Sequence, residues 1–82
     1  MKKVLVYSTI SCPYCVMVKD YLKDKKVLFE DFNVGKDHAK AHEMIEKSGQ
    51  MGVPVIDIEG TIIIGFNKPK IEETLKKKGY IK

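Results

Sequence analysis

A strand–helix–strand order near the start of this 82-residue chain constrains its fold more than any other feature. The apolar run Val4-Leu5-Val6-Tyr7 falls in a predicted strand over residues 3–8. From Pro13 to about Asp24, Cys15, Val18, Tyr21 and Leu22 recur at intervals of three and four, which predicts a helix. Residues 27–34 read as a second strand, with apolar Leu28, Phe32 and Val34 set against Glu30. Two strands joined through a helix pair in parallel by a right-handed crossover, so the helix lies on one face of the sheet.

The remainder continues the alternation. Gly35-Lys36-Asp37 leads into a helix with Asp37 as N-cap, Ala41, Met44 and Ile45 as its apolar face, and Gly49 as its stop. Strands are predicted over Val55–Ile58 and Thr61–Ile64, with Glu59-Gly60 short enough for a hairpin turn. Asn67 and Pro69 open a last helix that carries Glu72/Lys76 and Glu73/Lys77 pairs four residues apart. The order β-α-β-α-β-β-α gives an α/β fold with a four-stranded mixed sheet and three helices. Residues 1–82 are expected to form one domain, since a chain of this length buries one modest core.

The chain spends its only two cysteines in Cys12-Pro13-Tyr14-Cys15, between the first strand and the first helix. Open α/β sheets place their sites at this C-terminal edge of a strand. With Cys12 as N-cap, Pro13 takes the first helical position, where its missing N–H costs nothing. The N–H groups of Tyr14 and Cys15 then lack intrahelical partners and point toward the Cys12 sulfur. Those donors and the positive helix end favour thiolate over thiol, which makes Cys12 the expected nucleophile. Cys15, one turn inside, can reach back and displace whatever Cys12 has captured. That sequence of attack and resolution is thiol–disulfide exchange.

Composition excludes several alternatives. Apolar stretches are only a few residues long, so no membrane span is expected. The segment after Met1-Lys2-Lys3 is too short for an export signal, which points to the cytoplasm, where a cysteine pair serves catalysis or metal binding more often than stapling. The net charge is +4 and every cation is Lys, so no guanidinium clamps phosphate or carboxylate. No recognition motif accompanies the lysines, and no nucleic-acid partner is expected. A different class of function, a non-catalytic zinc module, can be written from Cys12, Cys15, His38 and His42. The 22 residues between Cys15 and His38 exceed the usual zinc-finger separation of roughly 12–15. The intervening strand would also carry that helix across the sheet, so no metal site is expected.

Val6-Tyr7-Ser8, Cys12-Pro13-Tyr14-Cys15, Gln50-Met51-Gly52-Val53-Pro54-Val55 and Gly65-Phe66-Asn67 together resemble a glutaredoxin, within the thioredoxin-fold superfamily. The resemblance covers essentially the whole chain and is most similar to short bacterial glutaredoxin-like proteins. It implies a thioredoxin-like fold and an enzyme without bound cofactor, acting as a monomer. It also implies a cis peptide before Pro54 that presents the Val53 backbone to a substrate cysteine or glutathione. Tyr14 corresponds to the family's aromatic wall beside the bound thiol. Gln50 corresponds to a contact for the glycyl carboxylate of glutathione, and Gly65, Phe66 and Asn67 to the γ-glutamyl site.

The chain departs from the family at defined places. Thr9 stands where many members have Lys, Gly52 where Thr is common, and Met51 where a basic residue is frequent. Phe66 and Asn67 replace a second Gly and the acidic or hydroxyl residues after it. These changes remove one positive and one negative contact for glutathione. The Gly-Phe segment is similar to redoxins that thioredoxin reductase reduces directly and that supply electrons to ribonucleotide reductase. Two electron donors therefore remain open, glutathione and thioredoxin reductase, with disulfide-containing proteins as the other partners.

Overall fold

The computed structural model describes residues 4–81. Its elements are β1 (Val4–Ser8), α1 (Pro13–Asp24), β2 (Phe29–Asn33), α2 (His38–Ser48), β3 (Val55–Ile58), β4 (Thr61–Ile64) and α3 (Lys68–Lys78). This is the expected order; the expected start of the first strand at Lys3 lies outside the described residues. The sheet runs β2-β1-β3-β4, with β1 parallel to β2 and antiparallel to β3, and β3 antiparallel to β4. The parallel pair is the one joined through α1.

Alternation along β1 and β3 divides the interior into two cores. Val4, Val6, Ile56, Ile58 and Ile63 meet Val18, Leu22, Ile71 and Leu75, which places α1 and α3 on one face. Tyr7, Val55 and Met44 form the core under α2 on the other, with Phe32, Val34 and Ile62 packed against it. Three layers result, and β1, buried on both faces, runs through the middle.

β2 departs from expectation at its start. Leu28 is 91% exposed, while Val27 is buried. Positions 28, 30, 32 and 34 share one parity, so a regular strand would put all four on one face. That parity is kept: Val27 and Phe29 pack with the α1–α3 core and Phe32 and Val34 with the α2 core, while Leu28 and Glu30 are exposed. The end of α1 sets this phase. Lys26 adopts a left-handed conformation (φ 60°), its N–H donates to the Lys23 carbonyl, and the Val27 N–H donates to the Leu22 carbonyl. That pattern is a Schellman cap with Lys where Gly is usual, and it turns Val27 inward against Leu22.

The remaining ends follow the expected chemistry. Asp37 caps α2 through its bond from the Lys40 N–H, and Gly49 (φ 74°) ends it. Asn67 caps α3 through the Lys70 N–H. The Glu72–Lys76 pair closes at 3.5 Å. Glu59 (φ 49°) and Gly60 (φ 98°) both have positive φ, the type I′ turn whose twist suits a two-residue hairpin.

One polar cluster inside the α2 face has no counterpart among the expectations. The Tyr7 hydroxyl donates to Glu43 Oε2 at 2.5 Å, and Lys47 Nζ donates to the Tyr7 oxygen at 2.8 Å and to Asp57 Oδ2 at 2.7 Å. Buried Asp57 also accepts from the Gly60 N–H, which ties the hairpin turn to α2. Burial opposes the charge on Lys47, yet Asp57 and Tyr7 hold its ammonium above the ordinary lysine range. A buried polar group is tolerated when its partners are present, and here every member has one.

Candidate active site

Cys12 is the N-cap of α1, with extended backbone (φ −98°, ψ 110°), and Pro13 opens the helix. Of the two donors expected, the Cys15 N–H makes the bond, reaching the Cys12 sulfur at 3.2 Å. This donor stabilises negative charge as it develops on that sulfur. Both cysteines are free thiols; Cys12 is partly exposed and Cys15 fully buried. Burial, and then the hydrogen bond with Cys12, push the Cys15 thiol up to about 12, while the Thr9 backbone and Lys19 pull it down. The two thiols thus differ in access, and Cys15 rests in its protonated form.

The opposite wall is the segment before β3. The Val53–Pro54 peptide is cis, so Pro54 is not an ordinary trans residue leading into a strand. The Val53 carbonyl oxygen lies 3.9 Å from the Cys12 sulfur, with the thiol oriented as donor. The Pro54 carbonyl accepts from the Gly65 N–H at 2.8 Å, which docks the start of the Gly65–Asn67 segment against this ledge. Tyr14, 60% exposed, stands in the turn between the two cysteines.

Other expected contacts are engaged locally. The Gln50 amide closes on Gly52, accepting from the Gly52 N–H at 2.6 Å and donating to the Gly52 carbonyl at 3.0 Å. A Cβ at position 52 would stand 2.7 Å from the Gln50 oxygen, so this closure depends on glycine where the family commonly has Thr. Phe66 packs edge-on against Tyr21, with ring centroids 6.2 Å apart, and belongs to the α1–α3 core. The Asn67 side chain is occupied as the α3 cap. Beside the cysteine loop a cavity of about 350 Å³ is lined, among the described residues, by Thr9, Ile10, Ser11, Asn33, Gly35 and the cationic Lys36.

The zinc alternative is corrected. Among the described residues no group of three or more His, Cys, Asp and Glu could hold a metal ion. Cys12 and Cys15 sit at the start of α1, whereas His38 and His42 ride on α2 across the sheet. His42 instead faces Glu46 at 3.3 Å on an exposed helix edge.

Three polar residues behind Cys15 do not stand out in the sequence. Lys19, one turn after Cys15 on α1, donates to Asp31 on β2 at 3.1 Å, and the buried Ser8 hydroxyl on β1 donates to the same carboxylate at 2.6 Å. The four-residue spacing of Cys15 and Lys19 on a predicted helix is a signal for Lys19 alone; nothing local marks Ser8 or Asp31.

Residues 4–63 match the family model described as glutaredoxin. The chain belongs to the glutaredoxin family. It is 47% identical over 74 residues to an uncharacterized glutaredoxin-like 8.6 kDa protein in the rubredoxin operon of Clostridium pasteurianum, covering 90% of this chain and 99% of that protein. Glutaredoxin 3 of Escherichia coli K12 is 38% identical over 65 residues, covering 79% of this chain and 78% of that one. A crystal structure of a glutaredoxin from Archaeoglobus fulgidus superposes with a TM-score of 0.85 at 27% identity, covering 93% of this chain and 88% of that one. The fold is the thioredoxin-like one expected, and the family is one of thiol–disulfide oxidoreductases. No helix among the described residues is long and apolar enough to cross a membrane.

Proposed function

We propose that this glutaredoxin reduces protein disulfides or glutathione mixed disulfides by dithiol exchange. Cys12 attacks the substrate disulfide, and Cys15 resolves the mixed disulfide that forms. The observation that carries this reading is the unequal pair itself. One sulfur is partly exposed and receives a backbone N–H at 3.2 Å, and the other is buried one turn behind it. Val53 and the cis Pro54 form the ledge on which the substrate's backbone pairs, in the manner of an added strand. Tyr14 walls the bound thiol, and the backbone of Gly65, Phe66 and Asn67 before α3 receives the γ-glutamyl end of glutathione. Such a pair cycles in a reducing compartment, so the cytoplasm is its proposed location.

Cys12→Ser is expected to abolish turnover of a glutathione mixed disulfide, whereas Cys15→Ser keeps monothiol turnover. Full activity in Cys12→Ser would remove the assignment.

A second reading names thioredoxin reductase as the electron donor and ribonucleotide reductase as the recipient. The Gln50 amide, engaged with Gly52, favours it, because the glycyl carboxylate of glutathione then loses its expected contact. Offering the oxidised protein glutathione with its reductase, or thioredoxin reductase with NADPH, separates the two by rate. Rapid reduction by thioredoxin reductase alone would overturn the glutathione-linked version.

A further inference from the structure

Resolution by Cys15 poses a chemical difficulty that the cysteine motif alone does not meet. The thiol is fully buried, and burial disfavours its charged, reactive form. Something nearby must favour the thiolate at the moment Cys15 attacks.

We propose that Lys19, held in place by Asp31 and Ser8, is a positioning residue whose charge assists Cys15 as the resolving nucleophile. This rests on the role given to Cys15 above. Lys19 follows Cys15 by four residues on α1, which puts the two side chains on one face, one turn apart. Its ammonium is fixed at 3.1 Å from Asp31 Oδ2, and Asp31 Oδ1 is fixed by the Ser8 hydroxyl at 2.6 Å. Ser8 immediately precedes Thr9, whose backbone also acts on the Cys15 sulfur. Three elements thus converge on one carboxylate, with α1 supplying Lys19, β1 Ser8 and β2 Asp31.

The groups around Cys15 have opposed effects. In the free dithiol Cys12 disfavours the Cys15 thiolate through its hydrogen bond and its charge, an opposition that ends once its sulfur is held in the mixed disulfide, whereas the Thr9 backbone and Lys19 favour the thiolate. Asp31 faces Lys19 from β2, and Asp20 and Lys23 of α1 share with them a groove of about 370 Å³ that opens to solvent.

The step balances without any added oxidant. Cys15 gives its proton to solvent, and its thiolate attacks the Cys12 sulfur of the mixed disulfide. The Cys12–Cys15 bond forms as the bond from Cys12 to the substrate sulfur breaks. The substrate leaves as thiolate and takes up a proton, and the oxidation it carried now resides in the protein disulfide.

Single-turnover mixing of the reduced protein with one equivalent of a chromogenic nitrobenzoate disulfide reads the two steps separately. The first arylthiolate is released as Cys12 is captured, and the second as Cys15 displaces it. Lys19→Met and Lys19→Gln are expected to slow the second release about three- to tenfold at neutral pH and to move its pH profile upward. Lys19→Arg should restore both, and the first release should be the same in every variant. A second release unchanged in rate and profile in Lys19→Met would overturn the inference. So would slowing of both releases together, or failure of Lys19→Arg to restore the second, since either marks a structural role. If the unsubstituted protein releases only the first arylthiolate, the resolver reading of Cys15 itself fails.

Discussion

At the scale of single residues, the site depends on giving two chemically identical thiols different surroundings. Cys12 caps a helix and keeps an open face toward solvent, while Cys15 is sealed beneath it. Cys15 is held at about 12, chiefly by burial and then by its hydrogen bond with Cys12. Its folded value is raised, so the neutral thiol is favoured across the whole range below that value and gives way only as pH climbs toward it. Iodoacetamide at pH about 8 is therefore expected to modify one equivalent of thiol, at Cys12, and to reach Cys15 only after unfolding. Peptide mapping by mass spectrometry checks this; equal labelling of both cysteines in the native protein would contradict the assignment. The capping role was legible in the sequence because it needs only four consecutive residues and the rules of helix ends. The Gln50–Gly52 closure was not legible. It depends on a missing side chain at one position freeing space for an amide two residues away, which residue type alone does not reveal.

At the scale of elements, strand and helix periodicity located all seven, and the error fell where α1 hands over to β2. Apolar residues at 27, 28 and 29 offer both parities, so the pattern does not choose which of them turns inward. The Schellman bonds from Lys26 and Val27 choose, and Leu28 is turned outward as a result. Lys26 adopts its left-handed conformation without the freedom of glycine, at a cost of about 1 kcal/mol. Lys26→Gly is accordingly expected to raise stability by about 0.5 kcal/mol or less, net of the greater entropy that glycine brings to the unfolded chain. Denaturant titration checks the sign through a higher midpoint at unchanged slope. A lower midpoint would mean that the Lys26 aliphatic stem contributes packing that outweighs its strain. The Tyr7–Glu43–Lys47–Asp57 cluster lies beyond such local rules. Its members are spread along the chain from Tyr7 to Asp57, and they meet only because α2 crosses the sheet above β1 and β3.

At the scale of the whole molecule, the excess of lysine becomes a statement about substrates. A net charge of +4 carried wholly by lysine gives a positive field without the fixed fork that guanidinium offers a carboxylate. Lys36 lines the cavity beside the cysteine loop, and Lys68 and Lys70 occupy the first turn of α3, just after the Gly65–Asn67 segment. Lysines thus flank both the cysteine loop and the Gly65–Asn67 segment, although Thr9 stands where many family members have lysine. A field of this kind raises encounter rates for anions more than it raises affinity, and salt screens it. Raising the ionic strength from about 0.01 M to about 0.1 M shortens the screening length from roughly 30 Å to roughly 10 Å. Over that range kcat/KM for an anionic glutathione mixed disulfide is expected to fall about two- to fivefold, while that for neutral hydroxyethyl disulfide stays constant. Replacing Lys36 with Gln should flatten the slope for the anionic substrate and leave the neutral one unaffected. Equal salt sensitivity for both disulfides would show that charge at this site steers nothing, and that the lysines serve the surface alone.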